Sequence, residues 1–196
     1  MIVSYQHKFI FIKTRKTAGS SVESYLFPYL GKDDVCTGSP GDGTPKINIA
    51  IRDGHKSWKF VKQHFKHEFE SYFKFAIERN PWDKYVSMYD WYQYLKPKKV
   101  KNGFDHFIRN IDKMQVIDTP LYLDQGKLVV DKLIKYEDLH NEFTKLPIPY
   151  NGELLTTFKK GGVRKNKDYR SMYTEETKQI VAEKSKFVID YFGYKF

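Results

Sequence analysis

The chain has 196 residues, enough for one domain with a substantial core and too few to require a second. Its 34 Lys and Arg against 24 Asp and Glu leave a formal charge of +10. That balance favours anionic partners such as nucleotides, acidic glycans, nucleic acid or membrane surfaces, while 15 Tyr, 15 Phe and 3 Trp exclude a disordered basic tail.

In chain order, the first strong pattern is Lys8 to Val22, KFIFIKTRKTAGSSV. Phe9 to Ile12 is a continuous β-prone run, as in a strand buried on both faces of a parallel sheet. Arg15 and Lys16 then bring positive charge, and Thr17, Ala18, Gly19, Ser20 and Ser21 add little side-chain bulk. Backbone N–H groups of such a turn, together with the start of the helix that follows, suit an anion. The triphosphate-binding motif GxxxxGK[ST] is absent, because Lys16 precedes Gly19 by three residues instead of following a glycine. An ordinary small, basic turn between strand and helix is the alternative on this stretch alone.

Val22, Tyr25, Leu26 and Tyr29 give a helical stripe over Ser21 to Leu30, ended by Pro28 and Gly31. Lys32 to Lys46 is rich in turn residues and reads as an exposed loop, a candidate lid. Ile47, Ile49 and Ile51 alternate as a short strand, which places Gly54 and His55 just beyond its carboxyl end. Ser57 to Phe69 reads as an amphipathic helix. Its His64 and His67 lack a third metal ligand of HExxH type, since position 71 is Ser, and are taken as solvated side chains.

Tyr72 to Glu78 is a second strand that runs into Arg79. Asn80 is a helix cap and Pro81 a first helical residue, with Trp82, Tyr85, Val86, Tyr89 and Tyr92 as the buried stripe. Ser87, in the second turn, is expected to return toward Arg79. Lys96 to Asn102 is read as a solvated basic loop in preference to an anionic-substrate patch. Short helical pieces are expected at Gly103 to Ile111 and Thr119 to Leu123, and short strands at Leu128 to Val130 and Leu133 to Ile134. Phe158 to Arg170, FKKGGVRKNKDYR, is a basic loop suited to phosphate. Thr174 opens a final helix with Ile180, Val181, Phe187, Val188 and Tyr191 on its apolar side, ended by Gly193.

This alternation predicts a single α/β domain over residues 1–196, P-loop-like, with a central parallel sheet flanked by helices. Cys36 is the one cysteine, so an internal disulfide is impossible and a reducing cytoplasm is expected. No stretch approaches the roughly 18 apolar residues of a membrane span, and the first residues have no secretory pattern, so a soluble protein is expected.

Three separated segments resemble one family. KTRKTAGSS resembles the 5′-phosphosulfate loop of sulfotransferases that use 3′-phosphoadenosine 5′-phosphosulfate (PAPS), in the PKTAGTS form of carbohydrate sulfotransferases. FAIERNPWDKYVSMY resembles their 3′-phosphate motif, RNPWDRxVS, and LIKYEDL resembles their YEDL segment; the carboxyl-terminal segment from Tyr169 looks like their closing helix. The resemblance implies that Lys16 and the loop of Thr17, Ala18, Gly19, Ser20 and Ser21, with Arg15 beside them, hold the 5′-phosphosulfate. It implies that Arg79 and Ser87 bind the 3′-phosphate, and that Arg164 and Lys165 of the late basic loop close over it, with Tyr169 and Arg170 as further candidates. A Gly-His pair before the RNPWD motif matches Gly54 and His55, which makes His55 the implied general base, with Glu23 and Glu78 as substitutes.

Arg15 stands where relatives often have Pro and Lys13 where they often have His, so the entrance to the loop is expected to be more basic than usual. The implied cofactor is PAPS, released as adenosine 3′,5′-bisphosphate, with no metal. The implied acceptor is a carbohydrate hydroxyl first, then tyrosine or a small metabolite. Lack of a membrane anchor points to a bacterial or viral enzyme in the cytoplasm. The rival readings are a P-loop-type kinase of a small molecule, opposed by the missing GK[ST] and magnesium carboxylate, and a basic nucleic-acid-binding protein, opposed by the absence of any recognised nucleic-acid motif.

Overall fold

The computed structural model describes residues 1–38, 54–114, 116–152 and 168–196. The strand expected at Ile47 to Ile51 and the larger part of the Lys32 to Lys46 loop lie outside them. The strands are β1 (Ile2–Ser4), β2 (Phe9–Ile12), β3 (Val35–Cys36), β4 (Phe73–Glu78), β5 (Leu123–Asp124), β6 (Lys127–Leu128) and β7 (Lys132–Lys135). The helices are α1 (Gly19–Leu26), α2 (Trp58–His64), α3 (Lys66–Ser71), α4 (Pro81–Leu95), α5 (Gly103–Arg109), α6 (Thr119–Tyr122), α7 (Leu139–Phe143), α8 (Glu175–Lys184) and α9 (Lys186–Phe192). The chain divides into two compact units, one of Met1–Glu78 with Asp118–Lys159, the other of Arg79–Ile117 with Lys160–Phe196.

The first unit holds a five-stranded sheet of order β3-β1-β2-β4-β7. Strands β2, β4 and β7 are parallel, with Phe11 opposite Phe75 and Ile77 opposite Ile134. The α/β class read from the sequence is therefore present, around a parallel centre. Two antiparallel strands extend it, β1 against β2 and β3 against β1, and the sequence pattern predicts neither of these short strands. Val35 and Cys36 fall in the stretch read as an exposed loop, yet both are buried. The turn chemistry around them serves to join strands. Asp34 accepts from the Ser4 hydroxyl at 2.8 Å and from the backbone N–H groups of Tyr5 at 2.7 Å and Gly31 at 3.0 Å. That carboxylate ties the turn after β1 to the approach of β3, so a polar, turn-rich segment still yields a sheet edge.

All four residues of β2 are fully buried, as a central strand covered on both faces requires. Alternation sends Phe9 and Phe11 into one cluster with Phe75, Ile77, Val22, Leu26 and Phe143. Phe75 is its centre: its ring stacks on Phe11 at 5.0 Å and meets Phe143 edge-on at 5.9 Å.

The second unit is helical in its described residues. Asn80 caps α4 as expected, its side-chain oxygen accepting from the N–H of Trp82 at 3.1 Å and of Asp83 at 3.4 Å, with Pro81 as the first helical residue. Trp82, Tyr85, Val86 and Tyr89 bury against Phe104, Phe107, Ile108, Val181 and Val188. Thr174 caps α8 in a reciprocal box with Thr177. The closing segment is two helices where the sequence predicts one, because Ser185 leaves helical geometry at φ −114° and ψ 17°. Val181 and Val188 stay inside and Tyr191 is left 45% exposed. Likewise Ser57 to Phe69 is α2 and α3, interrupted at Phe65. Neither break carries Pro or Gly, so composition does not mark them. Among the described residues no helix is long and apolar enough to cross a membrane.

Replacing Phe75 by Ala removes the ring that joins its neighbours across the sheet. We expect a loss of about 3–5 kcal/mol, read as a lowered urea midpoint; a loss below about 1 kcal/mol would show that the cluster collapses around the gap.

Candidate active site

Parallel pairing places the carboxyl ends of β2, β4 and β7 on the same edge of the sheet, where α/β proteins usually present functional groups. The turn leaving β2 runs from Lys13 to Ala18. Lys16 and Ala18 have φ of 59° and 60°, the left-handed region that side-chain-bearing residues seldom adopt. These reversals bring the backbone round to α1, whose first internal bond is Val22 N–H to Ala18 O at 3.0 Å. The positive end of α1 therefore lies at Ala18 to Ser21.

Lys13 organises this turn from inside. It is 3% exposed, its ammonium pairs with Glu23 Oε2 at 2.5 Å, and it reaches Ser20 Oγ at 3.4 Å. A Cβ at Gly19 would come within 2.7 Å of the Lys13 side chain, so glycine is needed for the turn to close over that stem. The sequence places Lys13 at the loop entrance as added basic charge; in the fold its charge is internal and faces a carboxylate. Glu23 Oε1 also binds the Met1 amino group at 2.7 Å and accepts from Thr37 Oγ1 at 3.2 Å. Burial by itself raises the Glu23 pKa, but the Met1 amine and Lys13 outweigh it and hold the carboxyl below the usual range. Thr17 is buried and its hydroxyl bonds to that of Thr14 at 2.8 Å, while Thr14 Oγ1 also donates to the Ile77 carbonyl of β4.

His55 meets the same turn. Its Nδ1 lies 3.0 Å from the Lys13 carbonyl oxygen. A carbonyl only accepts, so Nδ1 carries the hydrogen and the neutral ring presents Nε2 as its basic atom. Burial pushes the imidazole down to about 4, opposed by the Asp118 charge and by the bond to the Lys13 carbonyl, and reinforced by Arg15 and Lys13. Gly54 before it has no room for a side chain, since a Cβ would lie 2.9 Å from Thr37 Oγ1.

Arg15 is held by Asp118. The backbone N–H of Arg15 donates to Asp118 Oδ2 at 2.7 Å, and its guanidinium pairs with Oδ1. Asp118 has no exposed side-chain surface, and four residues later the Tyr122 hydroxyl donates to Glu78 Oε1 at 3.0 Å. Segment 118–122, with α6 inside it, thus straps the exit of β2 and the end of β4. Neither Asp118 nor Tyr122 stands out in the sequence; the one local signal is a helix-start pattern, Asp118-Thr119-Pro120. Both carboxylates named as substitute bases, Glu23 and Glu78, are buried and hydrogen-bonded.

In the second unit, Arg79 Nε donates to Asp83 Oδ2 at 2.6 Å across one turn of chain. Ser87 is buried on α4. Arg170 stacks over the Tyr169 ring at 4.5 Å, and Asn80 Nδ2 reaches the Tyr169 hydroxyl at 3.5 Å, which puts Tyr169 beside the residue after Arg79. Arg164 and Lys165 lie outside the described residues. Elsewhere, His64 Nδ1 bonds to the Phe60 carbonyl at 2.9 Å.

Residues 1–195 match the Sulfotransferase family. The chain belongs to that family. It is also 30% identical to an uncharacterised protein of Archaeoglobus fulgidus over 93 residues, 46% of this chain and 77% of the relative. No solved structure matches at a significant level. Family membership supports sulfuryl transfer in general as the chemistry of the chain, and the mixed α/β sheet is consistent with the family's fold.

The His55 shift has a definite sign in this sulfotransferase. Its folded pKa lies below its ordinary value of 6.5, so its contribution to stability is complete above about pH 6.5 and is lost as the pH falls toward 4. Urea midpoints across that range should fall more steeply for the wild type than for His55→Gln; equal slopes would refute the shift.

Proposed function

We propose that this sulfotransferase moves the sulfuryl group of PAPS to a hydroxyl, first among acceptors a glycan hydroxyl, with His55 as general base. The observation that carries the reading is the bond from His55 Nδ1 to the Lys13 carbonyl. It fixes the base to the same turn that presents Lys16, with Nε2 as the proton acceptor. Bound PAPS supplies an activated sulfuryl group and departs as adenosine 3′,5′-bisphosphate.

The residues of the turn suit an anionic donor. Small residues at Thr17 to Ser21, the left-handed backbone at Lys16 and Ala18 and the positive end of α1 favour negative charge at one point. Lys16 supplies a full charge there, stabilising the leaving phosphate without a metal. Arg15 contributes beside it. His55 Nε2 takes the acceptor proton as the new O–S bond forms, and the S–O bond to the phosphate breaks. Arg79 and Ser87 are assigned to the 3′-phosphate: a guanidinium gives charge-assisted hydrogen bonds and a hydroxyl a neutral one. Asp83 keeps the guanidinium of Arg79 ordered. Arg164 and Lys165 are assigned to the same phosphate by resemblance.

On this reading residues 1–196 form one sulfotransferase domain, supported by the extent of the family match. We place the enzyme in the cytoplasm, consistent with its single, buried, unbridged Cys36.

Adenosine 3′,5′-bisphosphate should raise the melting temperature, whereas ATP with Mg²⁺ or a short oligonucleotide should not; stabilisation by either of the latter alone would overturn the reading. With labelled PAPS and a panel of glycans, Lys16→Ala should lower turnover by about a hundredfold to a thousandfold. His55→Ala should also lose turnover heavily, and Arg79→Ala should chiefly raise KM for the donor. Near wild-type turnover in His55→Ala would remove the base assignment.

A further inference from the structure

Asp118 is a buried carboxylate beside the turn that bonds to both the backbone N–H and the guanidinium of Arg15. The peptide group that carries the Arg15 N–H adjoins the one whose carbonyl receives His55. Lys13 O accepts from the imidazole, and two residues on the Arg15 N–H donates to Asp118. Asp118 and His55 thus grip consecutive peptide units of the turn. The carboxylate also acts on the imidazole through space, as the largest influence opposing its burial.

A buried carboxylate is costly to keep unless its bonds offset desolvation, and a turn with two left-handed residues does not hold its shape without restraint. Tyr122, on the same strap, is tied to Glu78 at the end of β4, so the strap is anchored at both ends of the short segment that carries Asp118. Among the described residues the charged groups that bear most on His55 are Asp118, Arg15 and Lys13. Lys13 is paired with Glu23, which also holds the Met1 amino group, and Arg15 is paired with Asp118 itself. Removing the Asp118 charge therefore acts twice, by taking away an anion near the imidazole and by releasing the Arg15 cation from its partner.

We propose that Asp118 is a positioning residue for sulfuryl transfer, holding the Arg15–Lys16 turn in shape and setting the charge environment in which His55 accepts a proton. The catalytic part of this inference rests on His55 being the base; the coupling between Asp118 and His55 does not. Asp118→Asn keeps the size of the side chain and an oxygen for the Arg15 N–H while removing the charge, and Asp118→Glu keeps the charge but lengthens the arm.

The test is an NMR titration of the His55 ring in wild type, Asp118→Asn and Asp118→Glu, together with the pH profile of turnover. In Asp118→Asn the ring should titrate at lower pH than in wild type, the acid limb of the rate profile should move the same way, and kcat should fall by about tenfold to a hundredfold. Asp118→Glu should return the titration toward the wild-type position. An unchanged His55 titration in a folded Asp118→Asn protein would overturn the inference, whatever the rate. A shifted titration combined with full turnover in His55→Ala would uphold the coupling and discard His55 as the base. If Asp118→Asn does not fold, Arg15→Gln reports on the same network: loss of that cation should move the ring's titration upward, and no movement would overturn the inference.

Discussion

The first unit is arranged around one buried charge. Lys13 leaves β2 at the edge of the sheet with almost no exposed surface, and an ammonium there requires an anion. Glu23, on the inward face of α1, provides it. That single pairing fixes the register of the helix against the strand, because Lys13 and Glu23 must meet whatever the intervening turn does. The rest of the turn is then shaped around the lysine stem. Gly19 has no side chain because the stem occupies that space, Ser20 lies within reach of its ammonium, and the Lys13 carbonyl receives His55. A positively charged side chain thus serves as the internal post of the turn between β2 and α1.

The turn also needs holding from the outside, because Lys16 and Ala18 both have positive φ. The restraint comes from segment 118–122, far away in sequence. Asp118 fastens the backbone at Arg15 and Tyr122 fastens the end of β4 at Glu78. Parallel strands make this possible with few residues, since their carboxyl ends share an edge and one short segment reaches both. Three buried carboxylates, Glu23, Glu78 and Asp118, serve as scaffolding for the turn and the strand ends beside it. Each of these acids is engaged in a hydrogen bond or ion pair within the fold.

Membership of the sulfotransferase family supports sulfuryl transfer in general, and a turn rich in small residues and positive charge is of a kind that suits an anionic group. The acceptor is decided elsewhere. Loops vary in length and composition on a constant sheet and carry much of the specificity of a fold.

Much of this is legible in the amino-acid sequence. The unbroken FIFI run marks a doubly buried strand, Asn80-Pro81 marks a helix start, and Thr174 marks another, since each is a local pattern with a local cause. The same is true of the small, basic turn between β2 and α1. What sequence does not settle is pairing. Val35 and Cys36 are strand residues because β1 offers them an edge, not because of their own propensity. Lys13 reads as added basic charge at the loop entrance until Glu23 is seen beside it, and Asp118 does not stand out until Arg15 is. Chain pattern determines where elements with a strong local signal begin, such as β2, α4 and α8. Only tertiary structure decides which buried charges face each other, because desolvation is met by partners that lie 10 residues away for Lys13 and 103 for Arg15.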